Sequence, residues 1–528
     1  MSGRGLIFFY GPPLVGKSTL GKAFACHIGL PFWDVDEMVT VRANSSVEDI
    51  FTECGEPEFR KWEYKVICDL CTEERGVVAL GGGALIQPWT RDLVEKNGEV
   101  VLLTAPQQTL LERMDQGADT RPLLGREPEQ GLMRLLETRD AHYASFPKKV
   151  WVEGKTEEEL IGEVEVSLGR FRIGGMRREY EVVIRPDCLD EMGQAMRDRD
   201  LNGPVVVITD DQVGRLYAER VMIAVRDGGY PCSLCVFPAG ERSKTMETVR
   251  DVWRHFLSAE VERGSTVVAL GGGVAGDLAG FAAAAFHRGI QWINIPTSLL
   301  AMVDASLGGK TGVNLPQGKN LVGAFHPPRQ VWVDPDVLCT LPMEELESGM
   351  AEVIKHGVIS DPVLFSLAGE GREGVEGRWE ELITRAIGVK AKIVRLDPYE
   401  QDQRRILNFG HTIGHGVEHA SNYRLKHGEA VAIGMVAETY LSERLGLAPP
   451  GLTKKLEDVL SLWNLPLTIP SHLPEEDIMK AMRRDKKVAG GKLRFSLPFD
   501  LGDVKPGIKV EEKDWREALR FRKESTDG

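Results

Sequence analysis

The chain has 528 residues, of which 42% are apolar and 27% charged, and a formal net charge of −14. That length suggests roughly three or four compact units and ample material for buried cores, which excludes wholesale disorder. The acidic balance, with no lysine or arginine run, argues against a nucleic-acid partner, and the absence of an apolar span of about 18 residues argues against a membrane.

In chain order, the runs LIFFY, GVVAL and VVLLT alternate with helical stretches over the first 165 or so residues, the pattern of a parallel sheet flanked by helices. The stretch LGRFRIGG carries no sustained period, and residues 169–175 are expected to form a linker after a first domain at 1–168. From 176 to 335, YEVVI, PVVVITD, CSLCVF, STVVAL and WINIP again alternate with helices and predict a doubly wound α/β lobe. From 336 to 520, LPMEELESGMAEVIKHGVI, RAIGVKAKIV and GEAVAIGMVAETYLSERLG carry apolar residues at helical spacing and predict a mostly α-helical lobe. The heptapeptide VVALGGG occurs at 77–83 and at 267–273 in unlike surroundings, read as convergence on a strand that ends in glycines.

Eight cysteines in so long a chain do not make a disulfide framework, so a reducing cytoplasm is expected. The pairs Cys68/Cys71 and Cys232/Cys235 fall in helical and strand-like patterns, where neutral thiols are a better reading than zinc ligands.

Residues 11–18, GPPLVGKS, lie between a strand and a helix and fit the P-loop pattern. Gly11 and Gly16 let amides wrap phosphates, Lys17 reaches the outer phosphates, and the Ser18 hydroxyl suits Mg2+, so ATP or GTP binding follows. Further on stand Asp34 and Asp36, Arg60, Gly81, Gly82 and Gly83, Arg121 in TRPLL, and Arg139. Helix capping is the plain alternative for the two aspartates and a solvated loop for Arg121, but two aspartates at alternate positions beside a P-loop and the proline turn of TRPLL favour function. In order and spacing this set resembles the shikimate kinase family over residues 5–165, in the three-layer α/β/α P-loop kinase fold. The resemblance implies ATP with Mg2+, nucleotide contacts that include Thr19, and shikimate as acceptor. Asp36 would then hold ring hydroxyls and act in catalysis, Asp34 would lie near the magnesium, Arg60 and Arg139 would grip the carboxylate, and Arg121 would close over the phosphates. A gluconate or nucleotide kinase, the rival, has no need of the paired Arg60 and Arg139.

Six of the eleven histidines fall between His326 and His427. Glu352 in AEVIKHG, His411 and His415 one helical turn apart in NFGHTIGH, and His427 in KHGEAV are suitable zinc ligands. Residue chemistry alone permits several triads from Glu352, His356, His411, His415, His419 and His427. The stretches AMVDASLGGKTGVNLPQGKNLVGAFHPP, GMAEVIKHG, RRILNFGHTIGH and LKHGEAVAIGM are similar to the 3-dehydroquinate synthase family over residues 176–500.

That resemblance implies Glu352, His411 and His427 as ligands of Zn2+ or Co2+, catalytic Lys310, Lys355 and His415, and structural roles for His356 and His419. It implies an NAD site at the GGGVAGD turn with Asp210, Glu241, Lys244, Gly273, Asp277, Thr297, Ser298 and Lys319, with Gln212 standing where asparagine is usual. The substrate, 3-deoxy-arabino-heptulosonate 7-phosphate, would meet Asp304, Lys310, Asn320, Lys390, Arg404, Asn408 and Lys486 or Lys487. Arg288 would reach the site of a neighbouring subunit, implying a homodimer. The implied chemistry is a closed redox cycle: a carbinol is oxidised, phosphate leaves by β-elimination, the ketone is reduced again, and ring opening with aldol closure gives 3-dehydroquinate. A polyol dehydrogenase and a different sugar phosphate cyclase are the rivals, and neither needs the full set of cations for both carboxylate and phosphate.

Overall fold

The computed structural model describes residues 5–116, 128–176, 178–485 and 493–523. The chain forms two compact units, Met1–Leu168 and Gly169–Gly528. That is fewer than length suggested, because the sheet-bearing and helical parts of the second share one body.

The first unit is a five-stranded parallel sheet of β1 Gly5–Tyr10, β2 Phe32–Asp34, β3 Arg75–Ala79, β4 Gly98–Thr104 and β5 Lys149–Trp151, in the order β2-β3-β1-β4-β5. Residues Leu6 to Tyr10 are all buried, as a strand covered by helices on both faces requires. The chain leaves β1 at Gly11, whose φ is 142° and whose side-chain position lies 2.3 Å from the Leu103 carbonyl oxygen, so no other residue fits there. Helix Lys17–Ile28 then starts from Gly16 in the left-handed region. Leu14 is also left-handed, with φ 66°.

In the second unit β6 Arg170–Ile173, β7 Tyr180–Ile184, β8 Asn202–Asp210, β9 Cys232–Phe237, β10 Ser265–Gly271, β11 Gln291–Pro296 and β14 Gln330–Val333 form one sheet, ordered β6-β7-β14-β11-β10-β8-β9. The intervening β12 Lys310–Leu315 and β13 Gly318–Phe325 make a separate antiparallel hairpin, and β15 Arg494–Asp500 pairs with β16 Asp503–Lys509 in another. The expected linker is corrected here: Arg170–Ile173 pairs antiparallel with β7, and Phe171 and Ile173 are buried, so the segment is part of the second unit's core. All other strand pairs of this sheet are parallel. The strand order reverses between β8 and β10, and a ligand crevice belongs at their carboxyl ends.

Helices Met343–Ser360, Trp379–Leu396, His411–Ala420, His427–Arg444, Leu452–Ser461 and Glu475–Asp485 follow. Helix His427–Arg444 approaches the start of His411–Ala420 so closely that a side chain on Gly434 would lie 1.9 Å from the Gly410 carbonyl oxygen. Among the described residues no helix is long and apolar enough to cross a membrane. None of the eight cysteines is in a disulfide, and Cys26, Cys54 and Cys339 are exposed.

Candidate active sites

In the first unit the Lys17 ammonium folds back on the P-loop and donates to the Gly11 and Pro12 carbonyls, both at 3.0 Å. The Ser18 hydroxyl donates to Asp34 at 2.5 Å, while the other Asp34 oxygen accepts from the amides of Asp36 and Glu37. Asp34 is thus both the cap of helix Val35–Ala43 and a partner of the P-loop serine. Thr19 is exposed in the first turn of its helix.

Gly81, Gly82 and Gly83 follow β3 and let charged side chains close in. A methyl group at Gly81 would lie 3.1 Å from Asp36 and 2.5 Å from Glu63, and one at Gly83 would lie 2.3 Å from Arg60 and 3.2 Å from Arg139. The turn therefore gathers Asp36, Arg60 and Arg139 into one place. Arg60 is held by Glu63 at 2.6 Å and Glu56 at 2.8 Å, and Arg139 donates to the Gly82 carbonyl at 2.8 Å. Glu63 was not singled out from the sequence, although it stands one turn beyond Arg60 on the same helix face. Burial lifts its carboxyl to about 7 in spite of Arg60. Arg113 was also missed; it donates to the Leu14 and Val15 carbonyls and supports the strained part of the loop. Arg121 lies outside the described residues.

In the second unit the carboxyl ends of β8 and β10 bring Asp210 beside Gly271. Asp210 accepts from the amides of Gln212 and Val213, both at 2.9 Å, so it is the backbone of Gln212 that shapes this turn. Gly273 opens helix Gly273–Ala285, the Thr297 amide donates to the Gly271 carbonyl, and the Ser298 hydroxyl lies 3.5 Å from the side-chain position of Gly272. Buried Lys244 binds Asp277 at 2.5 Å and Asn320 at 2.6 Å. Glu241 accepts from Asn314 at 2.8 Å, and Asn314 in turn accepts from the Asn320 amide. Asn314 lies in the quoted GKTGVN motif but was not singled out. The two copies of VVALGGG thus serve different ends: one makes room for guanidinium groups, the other starts a helix at a crevice.

Glu352, His411 and His427 come together with candidate ligand atoms within 4.8 Å of one another. Each imidazole Nε2 lies 3.5 Å from Glu352 Oε1. Glu352 is fully buried, accepts no hydrogen bond and pairs with the Lys355 ammonium. Burial alone would raise its pKa, but Lys355 and the two histidines outweigh that and hold it well below the usual range. The far nitrogens are tied back: His411 Nδ1 lies 3.1 Å from the Phe409 carbonyl and His427 Nδ1 3.3 Å from Glu418. This leaves both Nε2 atoms facing an ionised carboxylate with open lone pairs, the donor set and outer-shell support that a divalent transition metal takes.

Burial disfavours the charged form of His427, yet Glu352 and Glu418 lift its pKa to about 9, while burial and then Lys355 hold His411 well below its ordinary value. Glu418, missed in the sequence, also binds Lys319 at 2.8 Å, and its pKa drops to about 2 despite its burial. It lies seven residues after His411 on the same helix face, a legible signal. Glu438, also missed, accepts from the amides of Gly410 and Ile413 at the start of that helix. His415 packs against both ligand imidazoles, its ring 5.0 Å from His411 and 5.9 Å from His427.

Around this cluster Lys390, buried, donates to the Asp304 carboxylate at 2.5 Å and to its carbonyl at 2.6 Å, and burial brings its pKa down to about 8. His356 is fully buried 4.0 Å from Asp304, with no hydrogen bond at either ring nitrogen, and burial lowers its pKa to about 3. His419 is exposed against Tyr423. Arg404 is buried and donates to the Pro398 carbonyl at 2.8 Å; its guanidinium occupies the space a side chain on Gly308 would need, 2.1 Å away. Asn408 ends the short helical turn Gln403–Asn408 just before His411. Lys310 pairs with Glu400. Arg288 is exposed in a turn where His287, Arg288 and Gly289 are all left-handed, and no described residue pairs with it. Lys486 and Lys487 lie outside the described residues. The described clusters with metal-binding geometry contain no cysteine.

Comparison with known proteins agrees with this division. The shikimate kinase family model matches residues 14–168, and the 3-dehydroquinate synthase N-terminal and C-terminal models match 234–348 and 349–488. A 3-dehydroquinate synthase from Nostoc punctiforme is 43% identical over 350 residues, covering 65% of this chain and 96% of the relative. A solved 2-deoxy-scyllo-inosose synthase, complexed with carbaglucose-6-phosphate, NAD+ and Co2+, superposes with a TM-score of 0.61 at 26% identity, over 67% of this chain and all of that one. A 2-epi-5-epi-valiolone synthase from Streptomyces hygroscopicus with NAD+ and Zn2+ bound gives 0.60 at 30% identity, over 66% of this chain and 99% of that one. The chain therefore belongs to the 3-dehydroquinate synthase family and carries a shikimate kinase domain ahead of the synthase, which makes it a bifunctional enzyme of the shikimate pathway.

Proposed function

We propose that the first unit phosphorylates shikimate from ATP and that the second converts 3-deoxy-arabino-heptulosonate 7-phosphate to 3-dehydroquinate and phosphate, with the residues assembled above in the following roles. In the kinase, the P-loop amides and Lys17 hold the outer phosphates and Ser18 holds Mg2+ next to Asp34. Arg60 and Arg139 take the acceptor carboxylate in planar two-point contacts, and Asp36 orients its hydroxyls and draws the proton from the attacking one. Arg121 stabilises the transferring phosphoryl group.

In the synthase, Glu352, His411 and His427 hold the divalent metal, which when bound polarises substrate oxygens as a Lewis acid. The β8 and β10 crevice, from Asp210 and the Gly271–Gly273 turn to Glu241, Lys244, Asp277, Thr297, Ser298 and Lys319, holds NAD, the acceptor and later donor of one hydride. Lys310, Lys390, Arg404, Asn408, Asn320 and Lys486 neutralise and orient the carboxylate and phosphate, Asp304 and Lys355 fix the cations and the ligand carboxylate, and His415 lies by the departing phosphate. The observation that carries this reading is the buried, ionised Glu352, paired with Lys355 and facing two tied-back imidazoles, beside the cations that a phosphorylated acid needs. A polyol dehydrogenase has no use for those cations.

The exposed Arg288, held out on a left-handed turn, supports a homodimer in which it completes the partner's site; sedimentation showing an active monomer would refute it. Eight cysteines, none of them in a disulfide and three exposed, support a reducing cytoplasmic setting. The division of labour is tested with the full chain: Lys17→Ala should abolish shikimate phosphorylation and spare phosphate elimination, and His411→Ala should do the reverse. Loss of both activities in either variant, with the fold intact, would contradict it.

A further inference from the structure

We infer that Tyr10 and His142 form a positioning link between the nucleotide loop and the acceptor clamp of the kinase, so that filling one changes the grip of the other. The inference rests on the kinase reading and extends it. Tyr10 is the last residue of β1, one peptide bond before Gly11, and is completely buried. Its hydroxyl crosses to the other substrate's side, where it lies 3.3 Å from the Gly82 carbonyl and 3.0 Å from His142 Nε2. The same Gly82 carbonyl accepts from Arg139 and from the Tyr143 hydroxyl, each at 2.8 Å.

Arg139, His142 and Tyr143 lie three and four residues apart on helix Pro128–Ala144, so they share one face. With the proton on Nε2, His142 donates to the Tyr10 oxygen, and the Tyr10 hydrogen is free for the Gly82 carbonyl; both contacts are then satisfied. The ring of Tyr10 packs edge-on to His142 and tilted against Tyr143 and Phe146, which fixes where its hydroxyl points.

Gly82 also sits against the P-loop directly: a side chain there would lie 3.2 Å from the Gly11 carbonyl oxygen, which accepts from Lys17. When phosphates draw Lys17 and the loop amides toward themselves, the end of β1 moves with the loop. Tyr10 carries that shift to the Gly82 carbonyl and the Arg139 helix. Neither Tyr10 nor His142 has to touch a substrate for this.

The test is the affinity for shikimate without nucleotide and with a saturating non-hydrolysable ATP analogue and Mg2+, by calorimetry, in the unmodified chain and in Tyr10→Phe, with the maximal rate measured in turnover. The ratio of the two affinities should shrink about fivefold in the variant, the worth of one hydrogen bond. The maximal rate with both substrates saturating should stay within about twofold by the same reasoning, because the link acts on binding. His142→Phe leaves the Tyr10 hydroxyl in place and should reduce the ratio in the same direction, which decides the matter if Tyr10→Phe fails to fold. An unchanged ratio in the folded variants, a ratio of one in the unmodified chain, or a fall confined to the maximal rate would overturn the link and leave the kinase reading standing. No phosphorylation of shikimate by the unmodified chain would sink the kinase reading and the link together.

Discussion

Replacing Glu418 by glutamine separates the metal site's outer support from its ligands. Glu418 is not one of the three ligands assigned above, although with His415 and His427 it forms a second cluster of suitable geometry; it holds His427 Nδ1 at 3.3 Å and Lys319 at 2.8 Å. Its carboxylate is ionised, with a pKa of about 2, and it helps lift His427 to about 9. Glutamine keeps the size and an acceptor oxygen but removes the charge that fixes the imidazole's tautomer and raises its basicity. Loss of such a partner weakens metal binding by about 10- to 100-fold, and the milder end, about 1.4 kcal/mol, is expected because an acceptor remains. The assay is zinc competition against a chromophoric chelator, followed by synthase rate against buffered free zinc; the half-activation point should move up about tenfold by the same estimate, with shikimate phosphorylation unchanged. A zinc affinity within twofold of the unmodified chain would refute the claim that Glu418 orients His427.

Other outcomes follow from the same geometry. Gly83→Ala sets a methyl group 2.3 Å from the Arg60 guanidinium, so the KM for shikimate should rise by about tenfold or more, the worth of a charge-assisted hydrogen bond, while the KM for ATP holds. Gly308→Ala puts a methyl group 2.1 Å from Arg404 at a φ of +92°, and synthase turnover should fall about 100-fold with kinase turnover intact. Lys390 has its pKa lowered to about 8, so kcat/KM of the synthase should decline as pH rises through about 8, and Lys390→Arg should move that limb upward. The sign for stability is opposite: between about 8 and the ordinary lysine value the unfolded chain binds the extra proton, so this residue's burial penalty is relieved as pH rises through that window.

What could be read from the residues depended on how chemistry is spread along the chain. The P-loop is contiguous and flanked by a strand and a helix, so Gly11 to Ser18 were legible as a unit. The metal ligands come from three helices, and residue chemistry left six candidates for three places; the family resemblance, not periodicity, singled out Glu352, His411 and His427. Glu418 and Glu63 were within reach, at seven and three residues from named neighbours on one helix face, but a lone glutamate on a helix is ordinarily solvated and drew no notice. Tyr10 was hidden for the opposite reason, since a tyrosine at the end of LIFFY reads as core. Arg170–Ile173 was taken for linker because four residues between glycines show no period, yet pairing with β7 made them a strand. Lys310 and Asn320 stand on the two strands of a hairpin, a pairing that the motif holding both of them does not spell out.

The second unit, on the mechanism proposed above, is a phosphate-eliminating cyclase whose oxidation is undone within one turnover at the Glu352, His411 and His427 centre. The direct measurement is phosphate release from 3-deoxy-arabino-heptulosonate 7-phosphate with NAD present, before and after chelation and re-addition of zinc, with absorbance monitored for NADH. Release that stops on chelation, returns with zinc and leaves no NADH behind is the predicted result. Phosphate release that ignores the chelator, or NADH formed in step with substrate consumed, would contradict it.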